Sequence, residues 1–135
     1  MAAGVSANPG GLLRDEGLYR FVHPNNAKAD GTLNSGVFSL RRDPAVSVGM
    51  EREIPPDRLA EFCGLKPEQG LARVAVGDVF DLELSVIPDR EPAWTEFANA
   101  QAELTGYSLW PNKRKEDVAK RLRDLANKQI IKPVP

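Results

Sequence analysis

The segment from Asn112 to Ala126 is the feature that most constrains the fold of this chain. Its apolar residues recur at three- and four-residue spacing, which places them on one face of an α-helix, and Asn112 can cap the first turn. The apolar stripe consists of Val118, Ala119, Leu122, Leu125 and Ala126. Because the stability of such a helix comes mostly from packing of its apolar face, the rest of the chain must supply a matching apolar surface.

Short segments rich in β-branched and aromatic residues predict that this surface is a β-sheet. Turn-forming residues separate these segments and favour two hairpins, one over residues 37–48 and one over residues 71–86. The predicted strands cover residues 18–22, 37–40, 45–48, 71–76 and 79–86, with a short edge strand in 130–135.

Two more helices are predicted. One covers residues 56–62, where proline is tolerated in the first turn and Gly64 can end the helix. The other covers residues 92–105, with Gly106 as its C-terminal cap. Strands followed by helices favour an α+β fold, here a small, mostly antiparallel sheet packed by two C-terminal helices and one short helix.

The chain has 135 residues, a length that one hydrophobic core can organise. Residues 1–16 are predicted to form a flexible tail, since their first part is dominated by Ala, Gly, Ser, Asn and Pro. Residues 17–135 are then a single domain. The chain has no apolar run near the roughly 18 residues of a membrane span and no secretory signal pattern, so we expect no membrane partner and a cytoplasmic location.

The sequence is poor in residues that bind metals or act as nucleophiles. Cys63 is the only cysteine, which excludes an internal disulfide and a multi-cysteine zinc site, and its apolar neighbours favour a buried thiol. His23 is the only histidine, and it is either a turn residue before Pro24 or a general acid or base. Glycine-rich phosphate loops and the common hydrolase and metalloprotease motifs are missing. The residues alone therefore assign no metal and no activity.

Charge is distributed unevenly along the chain. The whole sequence has a formal net charge of −1, but the segment from residue 112 to residue 135 has eight basic and three acidic residues. Such asymmetry can mark a surface for an acidic partner, either nucleic acid or a larger protein complex. The alternative is a solvated helix face with Glu116–Lys120 and Asp117–Arg121 pairs. The residues predicted to bind the partner are Trp110, Lys113, Arg114, Lys115, Lys120 and Arg121.

Three short motifs occur in the order found in ADP-ribosyltransferases: Leu18-Tyr19-Arg20, Phe38-Ser39 and Gln101-Ala102-Glu103. The chain resembles that family in these motifs. The resemblance implies an enzyme that acts on NAD, in which Arg20 holds the dinucleotide phosphate, Ser39 positions the ribose and Glu103 stabilises an oxocarbenium-like transition state. The family carries the last motif at a turn and strand, whereas the periodicity here predicts a helix.

A second resemblance is to a group of small bacterial proteins for which it implies no known activity. It rests on Leu18-Tyr19-Arg20, on Ser35-Gly36-Val37-Phe38 and on Ser47-Val48, together with the basic terminal helix. An accessory domain that engages an acidic partner is thus the first functional hypothesis, and an ADP-ribosyltransferase-like enzyme is the second.

Overall fold

The computed structural model describes residues 6–62, 64–89 and 98–135. Within these ranges the strands are β1 (Gly17–Val22), β2 (Val46–Met50), β3 (Gly70–Ala75), β4 (Ser85–Pro88), β5 (Gln101–Thr105) and β6 (Ile130–Lys132). They form one six-stranded antiparallel sheet in the order β4-β5-β2-β1-β3-β6. The predicted α+β class is therefore confirmed.

The described helices are α1 (Leu59–Phe62), α2 (Val76–Asp81) and α3 (Asn112–Asn127). The helix predicted over 56–62 is confirmed as a 3-10 turn at Pro56–Arg58 that continues into α1, and Gly64 follows with φ +77°. The long amphipathic helix is confirmed as α3, although Pro111 rather than Asn112 stands at its N-cap. No helix of the described residues is long and apolar enough to cross a membrane.

The two faces of the sheet support two apolar clusters, because neighbouring residues of a strand point to opposite sides. Leu18 and the buried stripe of α3 belong to the larger cluster, on one face. Tyr19 belongs to the smaller cluster on the other face, together with Leu59 of α1. Both faces are thus covered by helical elements.

The sheet is continuous on one side of β1 and splits on the other. β1 pairs with β3 along its whole length, from Gly17 opposite Ala75 to Val22 opposite Gly70. Its pairing with β2 consists of two residue pairs, Leu18 with Met50 and Tyr19 with Gly49. Beyond Tyr19 the two strands are no longer paired, and a groove opens between them.

The strand predicted over residues 37–40 is wrong, and with it the first hairpin. Ser35–Val37 forms a 3-10 turn, capped by the side chain of Asn34, whose Oδ1 accepts a hydrogen bond from the Gly36 amide at 2.9 Å. Local bonds from asparagine side chains compete with strand pairing. The next strand, predicted at 45–48, is confirmed as β2.

The strand predicted over residues 79–86, and the hairpin that it completes, are also wrong. Residues 76–81 form α2, and the chain resumes extended structure only at Ser85. Glu83 between them has φ +66°, a left-handed conformation that interrupts a strand. The regular alternation of Phe80, Leu82 and Leu84 therefore spans a helix end and a turn.

The helix predicted over residues 92–105 is wrong where the structure describes it. Ala98–Ala100 is a 3-10 turn, and Gln101–Thr105 is β5, an inner strand between β2 and β4. Residues 92–97 lie outside the described residues, as does Cys63. Helix α3 is thus the one C-terminal helix in the described part of the chain.

The described part of the segment assigned to a flexible tail makes defined contacts with the domain. The Ala7 amide donates to Ser85 Oγ at 2.8 Å, and the Val86 amide donates to the Ala7 carbonyl at 3.1 Å. Leu12 is buried in the larger apolar cluster. Ala7 and Leu12, which precede β1, are thus in contact with the sheet and its core.

A half-buried ion pair fastens β3 to the end of β2. Arg73 Nε donates to Glu51 Oε2 at 2.7 Å, Arg73 Nη2 donates to Oε1 at 2.9 Å, and the Tyr19 hydroxyl donates to Oε2 at 3.1 Å. The hydrogen bonds from Arg73 hold the pKa of Glu51 below its ordinary value of 4.5.

We expect this pair to make the protein sensitive to acid. The stabilisation is complete above the ordinary glutamate pKa of 4.5 and is lost as the pH falls through the lower pKa of the folded state. Urea unfolding at pH 7, 4.5 and 3 should show a free energy of unfolding that falls only below about pH 4.5. Glu51→Gln should be less stable at pH 7 and depend less on pH; a variant with the same pH dependence as the native chain would contradict this assignment.

Candidate functional site

The groove at the split between β1 and β2 brings together residues from three strands. Its volume is about 130 Å³, and its lining includes Arg20 of β1, Ser47 of β2 and Gln101 of β5. Two of these residues belong to motifs of the ADP-ribosyltransferase resemblance. The groove lies where β1 and β2 are no longer paired, beyond Tyr19.

Arg20 is partly buried at this split and bonded to backbone carbonyls. Its Nε donates to the Val37 carbonyl at 2.9 Å and its Nη1 donates to the Ser47 carbonyl at 2.8 Å. Burial lowers the pKa of Arg20, and the charge of Asp43 acts in the opposite sense. Among the described residues its guanidinium forms no ion pair and its Nη2 group makes no hydrogen bond. An arginine held in this way can accept an anion that offers two oxygens.

The Gln101-Ala102-Glu103 motif lies on β5, next to β2. Gln101 is opposite Gly49 and Glu103 is opposite Ser47 in the strand register. Gln101 and Glu103 share one face of β5 because they are two residues apart. Gln101 is buried, while the more accessible Glu103 is half-buried. The motif therefore runs along the strand that borders the groove.

Tyr107 is a buried tyrosine whose hydroxyl bonds the backbone of Asp43. Its side chain is fully buried, and its hydroxyl donates to the Asp43 carbonyl at 2.7 Å. Burial, more than any other effect, raises the pKa of Tyr107 to about 12; Asp43 and Glu103 act in the same sense and Arg20 in the opposite sense. The hydroxyl thus remains protonated and lies within the electric field of all three charged groups.

The structure places Ser39 away from this groove. Its hydroxyl donates to an Asp43 carboxylate oxygen, and it lines a different cavity, beside α3. Its predicted position depended on a strand at 37–40 that does not form. Ser47 is the serine that lies in the groove with Arg20, and the sequence contained a signal for it, since Val46 and Val48 on either side are buried strand residues.

A larger cavity adjoins the groove and shares Gln101 with it. Its volume is about 460 Å³, and its lining includes Arg52 and Asn99. The Arg52 guanidinium is held by Glu16, with Nε and Nη2 each 2.6 Å from a carboxylate oxygen. Sites that enclose small ligands usually measure about 300 to 1,000 Å³, a range that includes this cavity but not the groove.

The predicted basic surface is divided by contacts within the molecule. Arg114 Nη2 lies 2.5 Å from Glu83 Oε2, and its guanidinium carbon lies 3.8 Å from the centre of the Trp110 ring. Lys113 Nζ lies 3.5 Å from Asp117 Oδ2. Three of the six predicted partner-binding residues are therefore engaged in internal contacts.

The other three lie at two different cavities. Lys115 and Lys120 line the cavity beside Ser39, whereas Arg121 lines a separate one that also contains acidic residues. The predicted pairs at four-residue spacing do not form, because Glu116 pairs with Arg41 at 2.5 Å and Asp117 with Lys113. The cations of α3 consequently form no single continuous face.

His23 has a local structural role in the described contacts. It is exposed and caps the 3-10 turn at Pro24–Asn26, where its Nδ1 accepts a hydrogen bond from the Asn25 amide at 3.1 Å. The described residues contain no group of three or more His, Cys, Asp or Glu arranged to hold a metal ion.

Comparisons with protein-family models, with curated proteins and with solved structures find no match for this chain. Function is therefore inferred from the groove, its side chains and their charges.

Proposed function

We propose that the chain is an ADP-ribosyltransferase-like enzyme that binds NAD at the groove between β1 and β2 and cleaves its glycosidic bond. One observation carries the proposal: Arg20, partly buried and without a carboxylate partner among the described residues, opens onto the groove that Ser47 and Gln101 also line. Such a guanidinium is a suitable partner for the diphosphate of a dinucleotide.

The position of β5 supports the same proposal. The resemblance requires the Gln-x-Glu motif on a strand, and residues 101–103 belong to β5. Glu103 pairs with Ser47 on β2, the strand between β5 and β1. Strand alternation puts Glu103 on the face of Tyr19 and Arg20 on the face of Leu18, and the Arg20 guanidinium reaches the gap between β1 and β2 from that other face, where it bonds the Ser47 carbonyl. The proposed ribose-positioning residue is accordingly Ser47 and not Ser39.

The chemistry assigned to the site is simple. The bond between the ribose C1′ and the nicotinamide nitrogen breaks, nicotinamide leaves as a neutral molecule, and positive charge develops on the ribose ring. The Glu103 carboxylate stabilises that charge, because a fixed group of opposite charge lowers the energy of the transition state. Water, or the nucleophile of an acceptor, then forms the new bond to C1′ and loses a proton.

In this proposal the groove, with Arg20 and Ser47, takes the diphosphate and the ribose that reacts, and the cavity that shares Gln101 with it takes the remainder of the dinucleotide. We place this activity in the cytoplasm, which is the location expected from the sequence. Cell fractionation tests that location.

The experiment is to incubate the purified protein with NAD and to measure nicotinamide release by chromatography. We expect the native chain to release nicotinamide. Arg20→Lys should raise the KM for NAD about tenfold, because an ammonium group cannot make the bidentate phosphate contact of a guanidinium. Arg121→Lys, an exposed arginine in another cavity, is the matched control and should behave as the native chain. Absence of release by the folded native protein, or an unchanged KM for Arg20→Lys, would reject the proposal.

A further inference from the structure

A second groove lies between residues 35–42 and α3. Its volume is about 310 Å³. Four cationic side chains and one carboxylate line it. They are Arg41, Arg42, Lys115, Lys120 and Glu116.

Most of the positive charge in this groove is uncompensated. Arg41 and Glu116 neutralise each other, with Nη1 and Oε1 2.5 Å apart. Arg42, Lys115 and Lys120 form no ion pair with any residue that the structure describes. By contrast, Lys113 and Arg114 at the start of the same helix both have carboxylate partners.

We propose that this groove is a binding site for phosphate groups, supplied either by a free nucleotide or by a nucleic-acid strand. Cations that line a concave surface strengthen one another's field and attract anions of high charge density. Phosphate fits better than an acidic peptide, because three free cations within one small cavity need concentrated negative charge, whereas peptide carboxylates are spread along an extended chain.

The lining also indicates that the site binds phosphate without reading bases. Phe38, the aromatic residue of the lining, is 1% exposed and belongs to the core. Base stacking requires an accessible aromatic face. Ser35 and Ser39 also line the groove, and the Ser39 hydroxyl already donates to the Asp43 carboxylate. Binding should therefore depend on salt and little on sequence.

Fluorescence anisotropy with a labelled single-stranded oligonucleotide, and competition by pyrophosphate, test this site. If three cations contact phosphates, a plot of the logarithm of affinity against the logarithm of salt concentration should have a slope of about −2. The affinity should therefore fall about 20-fold between 50 and 200 mM salt. Lys115→Ala with Lys120→Ala should weaken binding about tenfold or more and flatten that slope. Lys66→Ala with Lys128→Ala removes the same charge at exposed lysines outside the groove and is the control.

The arms of the experiment separate the two sources of phosphate. Binding of the oligonucleotide with weak competition by pyrophosphate identifies a strand, and tight binding of pyrophosphate identifies a small ligand; either supports the site. Three results would overturn the phosphate site. They are no binding to either probe, equal affinity for a poly-glutamate peptide of matched charge, and equal weakening of binding by the control pair. Glu103→Gln, on β5 and outside the lining of this groove, should leave this binding unchanged, so the result is independent of NAD cleavage.

Discussion

Replacement of Glu103 by glutamine is expected to lower the rate of nicotinamide release from NAD about 100-fold or more. Glutamine keeps the size of the side chain and its place on β5, opposite Ser47. It removes the negative charge that would oppose the positive charge on the ribose. Loss of one preorganised stabilising group typically costs about 100- to 1,000-fold in rate.

The affinity for NAD should change much less than the rate, because Glu103 acts on a charge that exists only in the transition state. Single-turnover rates and NAD binding by calorimetry measure the two quantities separately. Glu68→Gln, at an exposed position, is the matched control. A Glu103→Gln protein that is folded and retains more than half of the native rate would remove Glu103 from the mechanism.

The elements that the sequence predicted correctly have strong local signals. α3 has a complete apolar stripe, and β1 and β3 are short apolar segments bounded by turn residues. Their register could not be predicted, because it depends on pairing between residues that are distant in the chain. Gly17 and Ala75, for example, are paired at the end of the β1–β3 ladder.

The wrong predictions share a physical cause, which is that tertiary pairing overrides a short periodic pattern. In β5, Gln101, Ala102 and Leu104 are all buried, since inner strands of this sheet are covered on both faces. That spacing of buried residues resembles a helix. In residues 79–86 a strand was predicted where a helix end and a turn are found. The two-residue alternation there crosses Glu83, whose left-handed conformation interrupts a strand.

The candidate site was predictable only where motif and fold coincide. Arg20 and Glu103 were proposed from motif order, and they lie on strands separated only by β2. Ser47 was missed as a site residue because its position beside Arg20 depends on the split in the sheet. The sequence also could not predict that the basic residues of α3 are divided among different contacts, because Arg114 pairs with Glu83, which lies 31 positions earlier in the chain.

Replacement of Leu122 by alanine is expected to lower the free energy of unfolding by about 3 kcal/mol, which is roughly a 150-fold change in the folding equilibrium. Leu122 is fully buried at the centre of the α3 stripe, and α3 contacts β3 and residues 35–37. The truncated side chain leaves a cavity that a helix fixed on both sides cannot close.

Urea unfolding at pH 7, monitored by circular dichroism, measures this loss. Leu109→Ala makes the same chemical change at a side chain that is 96% exposed, and it should alter stability by less than about 0.5 kcal/mol. Equal effects of the two substitutions would mean that α3 is not packed on the sheet. Because α3 also carries Lys115 and Lys120, Leu122→Ala should weaken phosphate binding in the second groove as well.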